Sequence, residues 1–259
     1  MTGEYAQING LDMYYETHGP SAGVPLVLLH GAMSATETSF GALLPRLAEG
    51  RRVIAVELQG HGRTADIDRP LRTASLADDV IALLDQVGVP KADLFGYSMG
   101  AGVAAEVAVR RPDLVSRLIL ASVAINNAGF HPGMLEGIDM LTPEAMAGSP
   151  FEAEYQRLAP RPQDWPALVE KVKDMDRNLT EMPAKQFAGI TAPTLLVFGD
   201  SDIIRPEHAV ELFRLLGGGV AGDIAGLPAA RLAILPGTTH ITVPSQVDAL
   251  IPAITSFLG

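Results

Sequence analysis

The sequence predicts an α/β fold: a mostly parallel, eight-stranded sheet flanked by helices and interrupted once by an inserted helical cap. Three observations carry this. Six short apolar runs recur, at 25–31, 51–62, 92–100, 115–122, 192–200 and 230–240. Helical-period segments separate most of them, and strand–helix–strand alternation builds a parallel sheet with helices on both faces. The rhythm stops between about 124 and 188, where Pro, Met and Glu are frequent and no strand pattern shows.

The elements follow in order. The first 19 residues read as an antiparallel hairpin turning at Asn9–Gly10, two residues suited to the positive φ angles of a tight hairpin turn. This hairpin brings the strand count to eight. "PLVLLHG" (25–31) is continuously apolar and ends in glycine, as a strand buried on both faces should. Helices are predicted at 39–49, 75–88, 99–110, 207–216 and 245–258. Within the break, "TPEAM" offers Thr142 as a helix cap and Pro143 at a first helical position. The expected organisation is a core of 1–123 and 189–259 with a helical cap at 124–188. The glycine-rich patch 217–226 reads as a flexible loop.

Composition narrows the function. The chain has 259 residues, 47% hydrophobic and 19% charged, as an ordinary globular protein does. Its net charge of −11 repels phosphate backbones and anionic membranes, so the expected partner is a small molecule, with no nucleic acid and no membrane. No cysteine is present, which removes disulfides and thiol chemistry. "MTGEYAQINGLDMYYETHG" lacks the basic and apolar regions of a signal peptide, so a cytoplasmic location is expected. No dinucleotide-binding glycine pattern, phosphate loop or zinc-ligand spacing appears, so no cofactor and no metal is expected.

The chemistry-bearing residues gather where strands end, the place where open α/β sheets carry their sites. "GYSMG" (96–100) follows a strand and precedes a helix. A serine there stands on a strained turn with its hydroxyl raised, and Gly96 and Gly100 leave room that larger residues would fill. Ser98 is therefore a candidate nucleophile. Of six histidines, His240 in "LPGTTH" is best placed as its base; His61 lies in a Gly-His-Gly turn that suits a structural role as well as a functional one, and His131 in the cap is a candidate substrate contact. "FGDSDIIRP" offers Asp200 and Asp202 to orient that histidine, and Asp202 lies further into the loop. "VAINNAG", after the run 115–122, contains no acid, which strengthens the choice of Asp202. Two backbone amides must receive the developing oxyanion: that of Met99, after the nucleophile, and that of Ala32 in "HGAMS", with Met33 as the alternate.

With these residues in place, the chain resembles the α/β-hydrolase superfamily, in its small capped serine esterase/lactonase-like branch. The HG-x segment at 30–32, the serine turn at 96–100, the acid in "GDSD" and the terminal histidine follow that family's order. The segment "ELQGHGRT" departs from the family's common D-x-x-G-x-G-x-S by Glu57 and Thr64, changes that put nothing catalytic in doubt because the glycines of the turn are kept.

The resemblance and the residues together imply a serine hydrolase that cleaves a small carboxylic ester or lactone through an acyl-enzyme. Two other readings stand beside it. One is other chemistry on the same residues, a cofactor-free perhydrolase or haloperoxidase or a carbon–carbon bond hydrolase. The other is a non-enzymatic small-molecule receptor. Met33, Tyr97, Phe130 and Trp165 are candidate substrate contacts. Phe151, Phe187 and the cap methionines 134, 140, 146 and 175 either line an apolar acyl pocket or form the cap's own core. With no arginine cluster in the cap, charged esters are expected to be cleaved more slowly than short-to-medium apolar ones.

Overall fold

The computed structural model describes residues 2–259. Strands β1 (Thr2–Ile8) and β2 (Leu11–His18) pair antiparallel, with Asn9 and Gly10 both at positive φ in the turn. The run continues through β3 (Leu26–Leu29), α1 (Thr36–Phe40), α2 (Leu44–Leu47), β4 (Val53–Val56), α3 (Thr73–Gln86), β5 (Ala92–Tyr97), α4 (Met99–Arg110) and β6 (Val115–Ala121). Next come α5 (Pro150–Leu158), α6 (Trp165–Arg177) and α7 (Ala184–Ala188), with short 3₁₀ turns between. The chain then closes with β7 (Thr194–Ser201), α8 (Pro206–Leu215), α9 (Gly222–Ala225), β8 (Ala230–Thr239) and α10 (Val247–Leu258).

All eight strands form one sheet in the order β1-β2-β4-β3-β5-β6-β7-β8. β2 meets β4 antiparallel, and every later neighbour is parallel. Alternate side chains of a strand face opposite sides, so each inner strand feeds two cores. Val27 and Leu29 join the core that includes residues of α3, α4 and α8, whereas Leu26 and Leu28 join the one that includes residues of α1, α2 and α10. Among the described residues, no helix is long and apolar enough to cross a membrane.

Three local expectations need correction. The helix expected at 39–49 is two short helices, because Pro45 has no N–H to continue the ladder from one to the other. "TPEAM" forms turns and no helix. Thr142 Oγ accepts from the Ala145 amide at 3.2 Å, but Ser149 and Pro150 supply the cap and first position of α5 instead. The glycine-rich patch holds a one-turn helix, α9, within its loop.

Between β6 and β7 the chain leaves the sheet and lays α5, α6 and α7 over the strand ends. Tyr155, Trp165, Leu168, Val172 and Phe187 from these helices join the core on the α3–α4 side. The apolar stripe of α6 thus faces inward over its length, as an amphipathic helix on a core requires.

Candidate active site

Ser98 sits between β5 and α4 with φ 53° and ψ −118°, a conformation that a non-glycine residue holds only when its surroundings enforce it. The enforcement is steric. A Cβ on Gly96 would lie 2.2 Å from the Gly100 carbonyl oxygen, and one on Gly100 would lie 2.0 Å from that of Leu29. Both glycines therefore let the turn press onto the sheet. The amino end of α4, with its unpaired N–H groups and partial positive charge, begins at Met99 directly behind the serine.

Ser98 Oγ lies 2.9 Å from His240 Nε2, and His240 Nδ1 lies 2.7 Å from Asp202 Oδ1. A carboxylate only accepts, so Nδ1 carries the proton and Nε2 is left to accept from the serine hydroxyl. Asp202 is buried at 4% exposure, and burial alone would raise its carboxyl. The His240 contact and charge, the Ser122 hydroxyl and the Ile204 amide outweigh burial and hold it below the usual carboxylate value. Asp200 serves differently: its carboxylate accepts from the amides of Gly237 and Thr238 at 2.9 and 3.1 Å and fixes the end of β8.

Ser122 was not foreseen. Its hydroxyl donates to Asp202 Oδ2 at 2.5 Å, and its φ of 55° shows a second strained residue at a strand end. Its position, one residue past β6 beside the acid-bearing loop, was the available signal. The run 115–122 supplies no acid of its own, but it ends on the serine that holds the acid from β7.

The amides of Ala32 and Met99 find no acceptor among the described residues, so both are free for a ligand. The Met33 amide is not free: it donates to His61 Nε2 at 3.0 Å. His61 in turn donates from Nδ1 to the Gln59 carbonyl at 2.8 Å, so it is fully used and neutral. Burial lowers its pKa to about 3 and that of His30, whose ring centre lies 5.0 Å away, to about 4. His61 thus braces the loop carrying Ala32, with Met33 held at φ 58°.

A cavity of about 620 Å³ opens above Ser98. Met33, Tyr97 and Phe130 line it, joined by Phe151, Met146 and Met175. Trp165 does not. It is 2% exposed, packs on Tyr155 with ring centroids 5.3 Å apart and belongs to the core, because the first turn of α6 points inward there. Phe187 is likewise core, and Met140 is exposed. The Tyr97 hydroxyl donates to the His240 carbonyl at 2.9 Å, which steadies the histidine loop. His131 lines a neighbouring cavity of about 490 Å³ and not the one above Ser98.

Comparison with known proteins bears on this geometry. A family profile described as the alpha/beta hydrolase fold matches residues 24–185. The chain is 32% identical over 144 residues to 2-hydroxymuconate semialdehyde hydrolase of Pseudomonas sp. (strain CF600), an alignment covering 54% of this chain and 48% of that one. Another curated relative is matched over 33% of its length, so the chain spans a third to a half of these two proteins. It is 25% identical to the mouse (Mus musculus) sn-1-specific diacylglycerol lipase ABHD11, over 99% of this chain and 88% of that one. The solved enol-lactonase from Burkholderia xenovorans LB400 superposes with a TM-score of 0.74 at 20% identity, covering 98% of this chain and 99% of that one.

Proposed function

This chain belongs to the α/β-hydrolase fold family, and from that premise we propose that it is a serine hydrolase of small carboxylic esters or lactones. The observation that carries the reading is the unbroken hydrogen-bonded series Ser98–His240–Asp202 at the floor of an apolar cavity. The likeness to a diacylglycerol lipase along nearly the whole chain favours ester chemistry.

Ser98 attacks the substrate carbonyl while His240 Nε2 takes the hydroxyl proton. Asp202 holds the ring and balances the imidazolium that forms. Negative charge on the carbonyl oxygen falls to the Ala32 and Met99 amides, which have no other acceptor to give up among the described residues. His240 returns the proton to the leaving alcohol. It then activates water against the acyl-serine, restoring the free enzyme.

The test is hydrolysis of p-nitrophenyl esters of graded acyl length by wild type and Ser98→Ala. The expected loss in kcat is about 10⁴–10⁶-fold, with the length optimum sizing the pocket. Near-normal turnover in the variant would sink the reading. Likeness to 2-hydroxymuconate semialdehyde hydrolase favours a second reading, carbon–carbon cleavage beside a carbonyl on the same residues. Turnover of a β-diketone in preference to every ester would select it.

A further inference from the structure

One carboxylate lines the substrate cavity without an ion-pair or hydrogen-bond partner among the described residues. Helix α6 carries six charged side chains from Glu170 to Arg177, and five have ionic partners. Lys173 pairs with Glu170 at 2.7 Å, Lys171 with Asp66 at 2.6 Å and Asp174 with Arg72 at 2.8 Å, while Arg177 pairs with Asp139. Asp176 has no ion-pair partner and no hydrogen-bond donor among the described residues. It lies one helical turn beyond Val172 and lines the cavity that holds Ser98.

The other titratable side chains of that cavity are Tyr97 and His240, both engaged in the contacts already described. Asp176 also borders the neighbouring cavity, but the arginines there are held elsewhere: Arg177 by Asp139, and Arg205 by Glu207 at 3.5 Å. Burial pushes the Asp176 carboxyl up to about 6, and the His240 charge opposes the rise. At neutral pH it is therefore mostly ionised. Asp176 is half-buried, so its carboxylate keeps only part of its hydration among methionine, aliphatic and aromatic side chains, and a bound cation would offset what is lost. Phe130 and Phe151 line the same cavity, and an ammonium group over the face of an aromatic ring is attracted by its quadrupole. The net charge of −11 raises the local concentration of cations over anions.

We propose that Asp176 is a specificity-determining residue that receives an ammonium group of the substrate, so that the molecule bound above Ser98 is a cationic ester or lactone. As a statement about turnover this rests on the hydrolase reading; as a statement about binding it does not. The expectation that charged esters are slow substrates then holds for anions alone.

The test pairs binding with turnover at pH 7.5. Calorimetry compares hexylammonium with 1-hexanol on wild type, Asp176→Asn and Asp176→Leu. Kinetics compares p-nitrophenyl 6-aminohexanoate with p-nitrophenyl heptanoate. The expected result is at least tenfold tighter binding of hexylammonium by wild type, abolished in Asp176→Asn and reversed in Asp176→Leu, with the same order in kcat/KM. Equal binding of the two probes by wild type would overturn the inference without recourse to any variant. So would a preference that survives both substitutions. Cation binding that depends on Asp176, with no ester hydrolysed, upholds the binding inference and defeats the ester part of the hydrolase reading. Ester hydrolysis without cation preference does the reverse.

Discussion

Glu154 Oε2 accepts a hydrogen bond from the Ala35 amide at 2.8 Å, joining α5 above the cavity to the loop that presents Ala32. Its other oxygen accepts from the Thr38 amide at 2.9 Å, and the side chain is buried. One carboxylate thus satisfies two amides at the start of α1 and fixes α5 relative to the oxyanion segment. An anion is well placed at a helix amino end.

Glu154→Ala leaves the buried Ala35 amide unpaired, at about 1–3 kcal/mol, and the half-buried Thr38 amide at less. We expect a lower melting temperature and a fall in kcat, as the loop carrying Ala32 loses its brace. Glu154→Gln keeps one acceptor and should lie between. Thermal unfolding and steady-state kinetics on both variants check this; equal behaviour of Ala, Gln and wild type would contradict the bracing role.

Ser122 supports Asp202 while holding a strained backbone, and the two effects separate by substitution. Ser122→Ala and Ser122→Gly both lose the 2.5 Å hydrogen bond, but only glycine relieves the φ of 55°. Both should lower kcat by roughly ten- to a hundredfold with little change in KM, since a hydrogen bond to a charged group contributes about 1.5–3 kcal/mol. The glycine variant should melt higher than the alanine variant. Asp202 is held below its unfolded value, so its contribution to stability is present at neutral pH and lost as pH falls through its folded pKa. Removing the Ser122 donor should move that acid-side loss to higher pH.

Glu57 predicts a pH dependence of the opposite sign. Burial raises its carboxyl from 4.5 to about 7, although Arg63 donates to it from both its amide and its guanidinium. Below pH 4.5 folded and unfolded chains both hold the proton, and the contribution to stability is complete. Between 4.5 and 7 the unfolded chain releases it first, so stability falls by at most about 3 kcal/mol. Glu57→Gln should remove this slope. Urea unfolding of wild type and variant from pH 4.5 to 8 reads the difference, and parallel profiles would contradict it.

Much of the site is visible in the sequence because strand ends announce themselves. The apolar runs stop at His30, Ser98, Asp202 and His240 or within a few residues of them, and parallel pairing brings those ends to one edge of the sheet. The glycines at 96 and 100 declare the turn for a steric reason that the fold repeats. Side-chain orientation in the segment between β6 and β7 is less visible. An amphipathic helix shows which face is inward but not whether that face meets core or cavity, so Trp165 meets the core while Met175, further along α6, meets the cavity. Asp176 was legible in principle, as a charge on the inner stripe one turn after Val172. The brace at His61 was not, because a glycine-flanked histidine reads alike whether it binds a ligand or a loop.

The most direct test of the central claim is to identify the residue that is acylated. Wild type is mixed with a slowly deacylating p-nitrophenyl ester, quenched in acid within the first turnovers and mapped by peptide mass spectrometry. The expected result is a stoichiometric acyl mass on Ser98, absent in Ser98→Ala. Full turnover with Ser98 unmodified, or the acyl group on another residue, would contradict it.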